Sequence, residues 1–411
     1  MKNADDTNHM QIRRVVIVSD FADINGGQAK VAIDSALLLA DAGIKVTFFA
    51  ATGPVHPLLN ATGIETVCLD QHTLLDNPSR VNAMLTGLWN ASAARALADT
   101  LGACDPAHTV IHCHGWAKAL SPSIGRVLGA SPIPTLYTMH EYFLACPNGG
   151  FFDFRKQEIC HRSPLSAACL STNCDARHPS HKAWRSLRTL IANTLGRMPG
   201  KLEHIAYISE TQRAAMAPYL PASTRLHALP NPVATGGEKV DASRNSEYVF
   251  IGRLAPEKGC TLFARAARKA NIPAIFVGDG PEADNIRAAN PDAVITGWVS
   301  PEQVQHHISR ARAVVFPSLW YEGQPLVPIE ALLRGVPVIC GSWCAASESV
   351  SHGTNGVIFD APTVDALTQA LLDVTRIPAF ETPELAELVS PRNHVARLLE
   401  IYREMLAPTP G

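Results

Sequence analysis

RAVVFPSLWYEGQPLVPIEALLRGVPVICGS, residues 312–342, leads on to GTNGVIFD at 353–360. The apolar run Ala313-Val314-Val315-Phe316 reads as a buried strand and stops at Pro317-Ser318. A polar loop follows, and the spacing predicts a short helix starting at Pro325. Proline is tolerated in a first helical turn, Gly335 sits where a helix ends, and Pro337 bars continuation. Glu322 in the loop and Glu330 on the helix have seven residues between them, and Gly323 at the bend leaves room for a ligand to approach the backbone. Strand, loop and helix in that order form one unit of an α/β fold.

The start of such a helix presents unpaired N–H groups, and its dipole favours an anion such as a phosphate. A carboxylate one or two turns on can accept hydrogen bonds from a diol. Together these suit a sugar nucleotide, with the diphosphate at the helix start and hydroxyls at Glu330. From this segment alone, Glu322 and Glu330 also read as solvated surface acids.

Working outward, 411 residues exceed one ordinary core, so two domains of about 200 residues are expected. Hydrophobic content of 46% with 18% charged residues is that of a well-packed soluble chain. A formal net charge of −2 provides no basic field for nucleic acid. No apolar run reaches membrane-spanning length, and the start, MKNADDTNHMQIRR, is polar where a secretion signal would be apolar, so a cytoplasmic protein is expected. Residues 1–11 read as a polar, disordered lead-in.

The series of units begins at Arg14–Ser19 (RVVIVS), continues through the loop DFADINGGQAK into an amphipathic helix closed by Gly43, and resumes as a strand at KVTFFAA, making a βαβ unit of a parallel sheet. Gly26-Gly27 lies between strand and helix, where a backbone can cradle an anion, although a lone GG is weak evidence. The runs TVIHCHGW (109–116) and PTLYTMHE (134–141) end strands at His114 and His140. In doubly wound sheets such ends face the ligand crevice, yet each histidine read alone is as readily structural. Strands at 205–209 and 225–229 complete a first domain, 12–230. The run 231–246 reads as a linker, and a second βαβ series fills 247–392 with a final helix over 393–408. In FIGRLAPEKG (250–259), Arg253 and Lys258 sit in a strand-to-helix loop, where fixed cations would stabilise a departing diphosphate. No Asp-x-Asp occurs that would hold a divalent ion for the same purpose.

Six of the ten cysteines are scattered, but Cys146, Cys160, Cys169 and Cys174 fall within 29 positions, inside an insert over 144–181. Their spacing lacks the paired CxxC knuckles of a zinc ribbon. A structural zinc ion on these four, a disulfide-linked loop and unlinked thiols all stay open. The stretch 182–201 carries only basic charges, interleaved with apolar residues. It reads either as a helix lying on an anionic membrane or as one packed on the sheet with a solvated basic face.

Taken together, GG, H-x-H, GRL-x3-KG, E-x7-E and G-x-NG, in that order, resemble glycosyltransferase family 4, the retaining enzymes of the two-domain GT-B fold. The resemblance spans Arg14 to Leu406. It implies transfer of a sugar from a nucleoside diphosphate sugar to an acceptor hydroxyl, with no cofactor needed for catalysis and a sugar or lipid-linked acceptor. Glu330 would bind the ribose, Glu322 would lie against the donor sugar, and Gly323-Gln324-Pro325-Leu326 would hold phosphate and sugar. Arg253 and Lys258 would bind the diphosphate, Val299 would line the nucleobase, His114 would contact the donor sugar, and Gly27 would lie beside the phosphates. Gly26, Gln28, Lys30, His140 and Glu141 would shape the acceptor side. HEYFLACP resembles the family segment that precedes a cysteine-bearing insert, and the last helix would cross back to the first domain. A GT-B epimerase and a non-catalytic sugar-nucleotide binder are the rival readings; an NAD-linked oxidoreductase lacks its GxGxxG turn.

Overall fold

In the computed structural model, residues 12–407 are described; the lead-in over 1–11 and residue 408 of the expected last helix lie outside them. The first domain holds seven parallel strands: β1 (Arg14–Phe21), β2 (Lys45–Thr52), β3 (Glu65–Cys68), β4 (Thr109–Cys113), β5 (Thr135–Thr138), β8 (His204–Tyr207) and β9 (Arg225–Ala228). Between β5 and β8, a small antiparallel ribbon, β6 (Phe152–Asp153) with β7 (Glu158–Ile159), marks the insert. The sheet order is β3-β2-β1-β4-β5-β8-β9. The second domain repeats the plan with six parallel strands: β10 (Glu247–Ile251), β11 (Ala274–Val277), β12 (Val294–Gly297), β13 (Ala311–Phe316), β14 (Val338–Gly341) and β15 (Gly356–Phe359), in the order β12-β11-β10-β13-β14-β15.

Sheets covered on both faces need continuous apolar strands, and Val15 to Val18 in β1 and Ala313 to Val315 in β13 are fully buried. Each sheet order reverses beside its first strand, so the ligand crevice forms where the strands' carboxyl ends meet the loops. The helix after β13 runs Leu326–Leu333, one residue later than predicted. Pro325 is its cap, with the extended ψ of 124° that a residue entering a helix adopts.

The last helix, Pro391–Leu406, begins at a Ser390 cap whose hydroxyl accepts from the Asn393 amide. Its Leu398, Ile401, Tyr402 and Met405 pack into the first domain's core with Ile17 and Phe48. The helix thus crosses back to the first domain.

The reading of 182–201 as a packed helix with a solvated basic face is not what forms. The helix runs Pro179–Thr194 and stops short of Arg197, which has a left-handed φ of 56°. Its Lys182 and Arg188 are buried, while Leu187, Leu190 and Leu195 are about half exposed. Arg188 donates to the Ala117 carbonyl at 2.7 Å and lies over the rings of Phe143 and Trp116, which offset its burial. Arg185 pairs with the buried Asp175 at 3.1 Å.

Candidate active site

A cavity of about 570 Å³ lies between the two domains. The first domain lines it with Asn25, Gly26, Gly27, His140, Glu141 and Tyr142, and the second with Gly252, Arg253, Lys258, Trp320, Glu322 and Gly323. Its centre is built by two loops of the second domain that glycine allows to touch. Gly259 is left-handed (φ 69°), and a Cβ there would lie 2.1 Å from the Pro317 carbonyl oxygen. This close approach lets Leu319 N–H donate to the Glu257 carbonyl at 2.8 Å, so the loops after β10 and β13 run side by side. Lys258 Nζ consequently reaches Glu322 Oε1 at 2.7 Å, and Ser318 Oγ donates to the same oxygen at 2.6 Å. The ammonium also lies 5.4 Å from the Trp320 ring centre. Arg253 pairs with Glu257 and keeps its guanidinium half exposed at the cavity wall.

Glu322 holds a left-handed φ of 56°, unusual for a residue with a Cβ. That turn sends its carboxylate to Lys258 and its carbonyl outward, where Tyr142 of the first domain donates its hydroxyl to it. Gly323 follows: a Cβ there would meet the His140 carbonyl at 3.2 Å and Ile208 Cδ1 at 3.0 Å, so a side chain would wedge the domains apart. Three further bonds cross the same seam. Gln324 Oε1 accepts from Asn231 N–H at 2.6 Å, and Glu348 accepts from the amides of Glu210 and Thr211 at 2.9 and 2.6 Å.

His140 lines the cavity, whereas His114 is fully buried and reaches it through His140, with Nδ1 3.0 Å from His140 Nε2. Burial, helped by the charges of Lys118 and His394, pushes His140 down to about 3, and burial holds His114 well below the usual histidine range. Both rings are therefore neutral at ordinary pH and serve as hydrogen-bonding groups. Gln28 Nε2 donates to the His114 carbonyl at 2.8 Å, pinning the loop that carries Gly26 and Gly27.

Lys30 pairs with Asp34 on its own helix, and Glu141 with Lys118. Glu330 is half-buried, accepts from Gln305 Nε2 at 3.1 Å, and is not among the residues lining the cavity. Burial raises its carboxyl, against the pull of the Gln305 bond, Lys30 and Arg334. Val299, Pro325 and Leu326 likewise stand outside the cavity lining; all three are partly buried, Val299 and Leu326 against the second domain's core. Tyr142, Ser318 and Trp320 were missed from the sequence. All three lie inside quoted motifs, but only the tertiary contacts give them a place.

Zinc on the four clustered cysteines would need sulfurs about 3.8 Å apart around one ion. Among the described residues, the one trio of His, Cys, Asp or Glu with ligand atoms all within 4.8 Å is His204, His227 and Glu404.

Two parallel-sheet domains facing a cleft that carries cations on one wall are the GT-B architecture. Residues 25–236 match the family described as Glycosyltransferase Family 4 and residues 245–376 that described as Glycosyl transferases group 1; the chain belongs to glycosyltransferase family 4. Among curated relatives, a GDP-mannose-dependent alpha-(1-6)-phosphatidylinositol monomannoside mannosyltransferase of Mycolicibacterium smegmatis is 26% identical over 244 residues, 52% of this chain and 64% of the relative. A GDP-mannose-dependent alpha-mannosyltransferase of Corynebacterium glutamicum is 30% identical over 131 residues, 31% of this chain and 32% of the relative. The chain therefore spans less than two thirds of the length of these relatives. Among solved structures, HepE of Anabaena in complex with UDP and glucose superposes with a TM-score of 0.63 at 15% identity, over 95% of this chain and 99% of that one. Sucrose-phosphate synthase of Thermosynechococcus elongatus gives 0.63 at 19% identity over 95% of both chains. At such identities the likeness is one of fold.

Proposed function

We propose that this protein transfers a sugar from a nucleoside diphosphate sugar to an acceptor hydroxyl, with retention of configuration and without a metal ion. What carries the reading is the convergence of Arg253, Lys258 and Glu322 in one cavity between the domains of a family 4 chain. Breaking the glycosidic bond leaves negative charge on the diphosphate, and two cations fixed beside it stabilise that charge more in the transition state than in the ground state. Lys258, held in place by Glu322 and the ring of Trp320, needs no reorganisation to do so. Glu322, locked by Lys258 and Ser318, would lie under the donor sugar, and the amides of Gly323 to Leu326 would hold phosphate and sugar. Retention follows if the acceptor attacks the face from which the diphosphate leaves and the departing phosphate oxygen takes its proton. Gly26, His140 and Glu141 line the opposite wall of the cavity, where the acceptor would bind, and Gly27 would lie beside the phosphates. With a neutral ring, His140, held from behind by His114, would bind hydroxyls rather than anions. Closure over the cavity would exclude water and align the acceptor.

Thermal-shift measurements across UDP-, GDP-, ADP- and TDP-sugars test the donor, with GDP-mannose first because the relatives are named for it. One sugar nucleotide should raise the melting temperature by mass action. Glu330→Ala should weaken its binding about tenfold, the effect of one lost hydrogen bond to a charged group. No response to any nucleotide by folded protein, or unchanged binding by the variant, would remove the assignment.

An acceptor carried on a lipid fits a second surface. Leu187, Leu190 and Leu195 on the helix Pro179–Thr194 and its end are exposed, as are Val81, Met84 and Leu85 on the helix Arg80–Leu88 that touches it through Trp184, and the same segments carry exposed Arg80, Arg197 and Lys201. Exposed apolar side chains on segments that also carry cations suit an anionic bilayer. No helix among the described residues is long and apolar enough to cross one. The protein should sediment with phosphatidylglycerol-containing vesicles, and the double variant Leu187→Asp, Leu190→Asp should remain in the supernatant. Equal partitioning of both would exclude this face.

A further inference from the structure

The buried Lys182 has a role that sugar transfer does not use. Its side chain is 4% exposed, and its ammonium donates to two cysteine sulfurs, Cys169 Sγ and Cys174 Sγ, each at 3.3 Å. Among the described residues it makes no ion pair with a carboxylate, although buried cations are ordinarily paired with an anion. The neighbouring acids are already engaged, Asp175 with Arg185 and Asp153 with Arg162. Its close contacts are to sulfur instead. Cys174 is the better placed of the two, because Asn148 Nδ2 also donates to it, at 3.4 Å.

Buried together, Lys182 Nζ and Cys174 Sγ set an amine nitrogen against an oxidisable sulfur at 3.3 Å. We propose that Lys182 and Cys174 form an oxygen-bridged crosslink, Nζ–O–Sγ, under oxidising conditions. With dioxygen as oxidant the balance is R–NH2 + R′–SH + O2 → R–NH–O–S–R′ + H2O. The S–H bond and one N–H bond break, the S–O and N–O bonds form, and one oxygen atom leaves as water. Sulfur and nitrogen each give up two electrons, which together reduce dioxygen fully. Two equivalents of a dithiol reverse the reaction, returning amine, thiol and a second water.

The bridge ties the cysteine-bearing loop to the helix Pro179–Thr194. That helix carries Arg188 against Trp116 and Phe143, and the loop carries Phe152 against Trp320 at the cavity. Crosslinking would stiffen that side of the cleft.

Intact-mass analysis of the full chain, aerated and then reduced with dithiothreitol, reads the step directly. The aerated protein should be heavier by about 14 Da, one oxygen gained and two hydrogens lost, and the excess should vanish on reduction. Peptide mapping should join the segments bearing Cys174 and Lys182. Cys174→Ser and Lys182→Met should abolish the shift and Cys169→Ser should keep it; because the mapping uses the unaltered protein, a variant that fails to fold leaves the test intact. An unchanged mass, a loss of about 2 Da from a Cys169–Cys174 disulfide, a bridge through Cys169, or a co-purifying metal held by these sulfurs would each overturn the proposal.

Discussion

Replacing Lys258 with alanine should lower kcat by about 10²- to 10³-fold, the loss seen when one fixed donor to a developing oxyanion is removed. Affinity for the free nucleoside should change much less, because the ammonium faces the charge that appears on leaving-group departure and not the base or ribose. The substitution has a second effect. Glu322, with a side chain 11% exposed, would keep only the Ser318 hydroxyl, and a carboxylate buried without its cation costs a few kcal/mol. A fall in melting temperature is therefore expected as well, and it must be separated from the catalytic loss. Lys258→Ala combined with Glu322→Gln removes the orphaned charge: the double variant should regain most of the melting temperature and none of the turnover. Turnover recovering along with stability would show that Lys258 acts by holding Glu322 in place. Full activity of the single variant would remove it from the site.

That pair also marks how far the sequence could be read. The strand, loop and helix over 311–333 follow from proline and glycine, whose effects are local, and the helix start was misplaced by a single residue. Lys258 and Glu322 are 64 positions apart, and what brings them together is the left-handed Gly259 lying against Pro317. Spacing cannot register such a contact; only the family resemblance put both residues in one cleft. Tyr142 meets the Glu322 carbonyl across 180 positions and two domains, and no local signal announces it. The basic helix failed for the opposite reason. Its charges were assigned to solvent because charged residues mostly lie there, but Lys182 finds two sulfurs and Arg188 a carbonyl and two aromatic faces inside. The leucines were left outside, which reverses the expected face and exposes an apolar surface that composition alone could not reveal.

The folded protein should lose stability as pH falls from about 6.5 toward 4, because it holds a group of histidines neutral that the unfolded chain would protonate. Tyr402 of the last helix lies 2.7 Å from His112 Nδ1, Thr138 lies 2.7 Å from His112 Nε2, and the rings of His112 and His114 are 4.0 Å apart. His394 donates Nδ1–H to the Pro230 carbonyl at 3.0 Å and accepts from Ser35 through Nε2 at 3.1 Å. A second proton on His394 would face the Ser35 hydroxyl, and protonating both His114 and His140 would set two N–H groups against each other. Burial is the first cause in every case: it pushes His140 to about 3 and His394 to about 4, and holds His112 and His114 well below the usual value. The sign follows from proton counts. Between the folded and unfolded pKa values the unfolded chain binds more protons, so stability is complete above about 6.5 and is lost as pH falls toward the folded values. His140 and His394 alone give a slope of roughly 2.7 kcal/mol per pH unit in that window. Asp20 and Glu330 act in the opposite direction, since burial raises both carboxyls and acid then favours the folded form, but they are two groups against four. Urea midpoints measured at pH 7.5 and 5.5 at constant ionic strength should fall steeply, and His394→Asn should flatten the dependence. Tyr402 ties the last helix to His112 of β4, and His394 ties it to Ser35 and Pro230, so local opening of that helix should precede unfolding on acidification, and amide exchange over 391–406 should accelerate first. Equal urea midpoints at the two pH values would mean that these histidines are protonated in the folded protein, and their assignment as neutral hydrogen-bonding groups beside the cleft would fall with them.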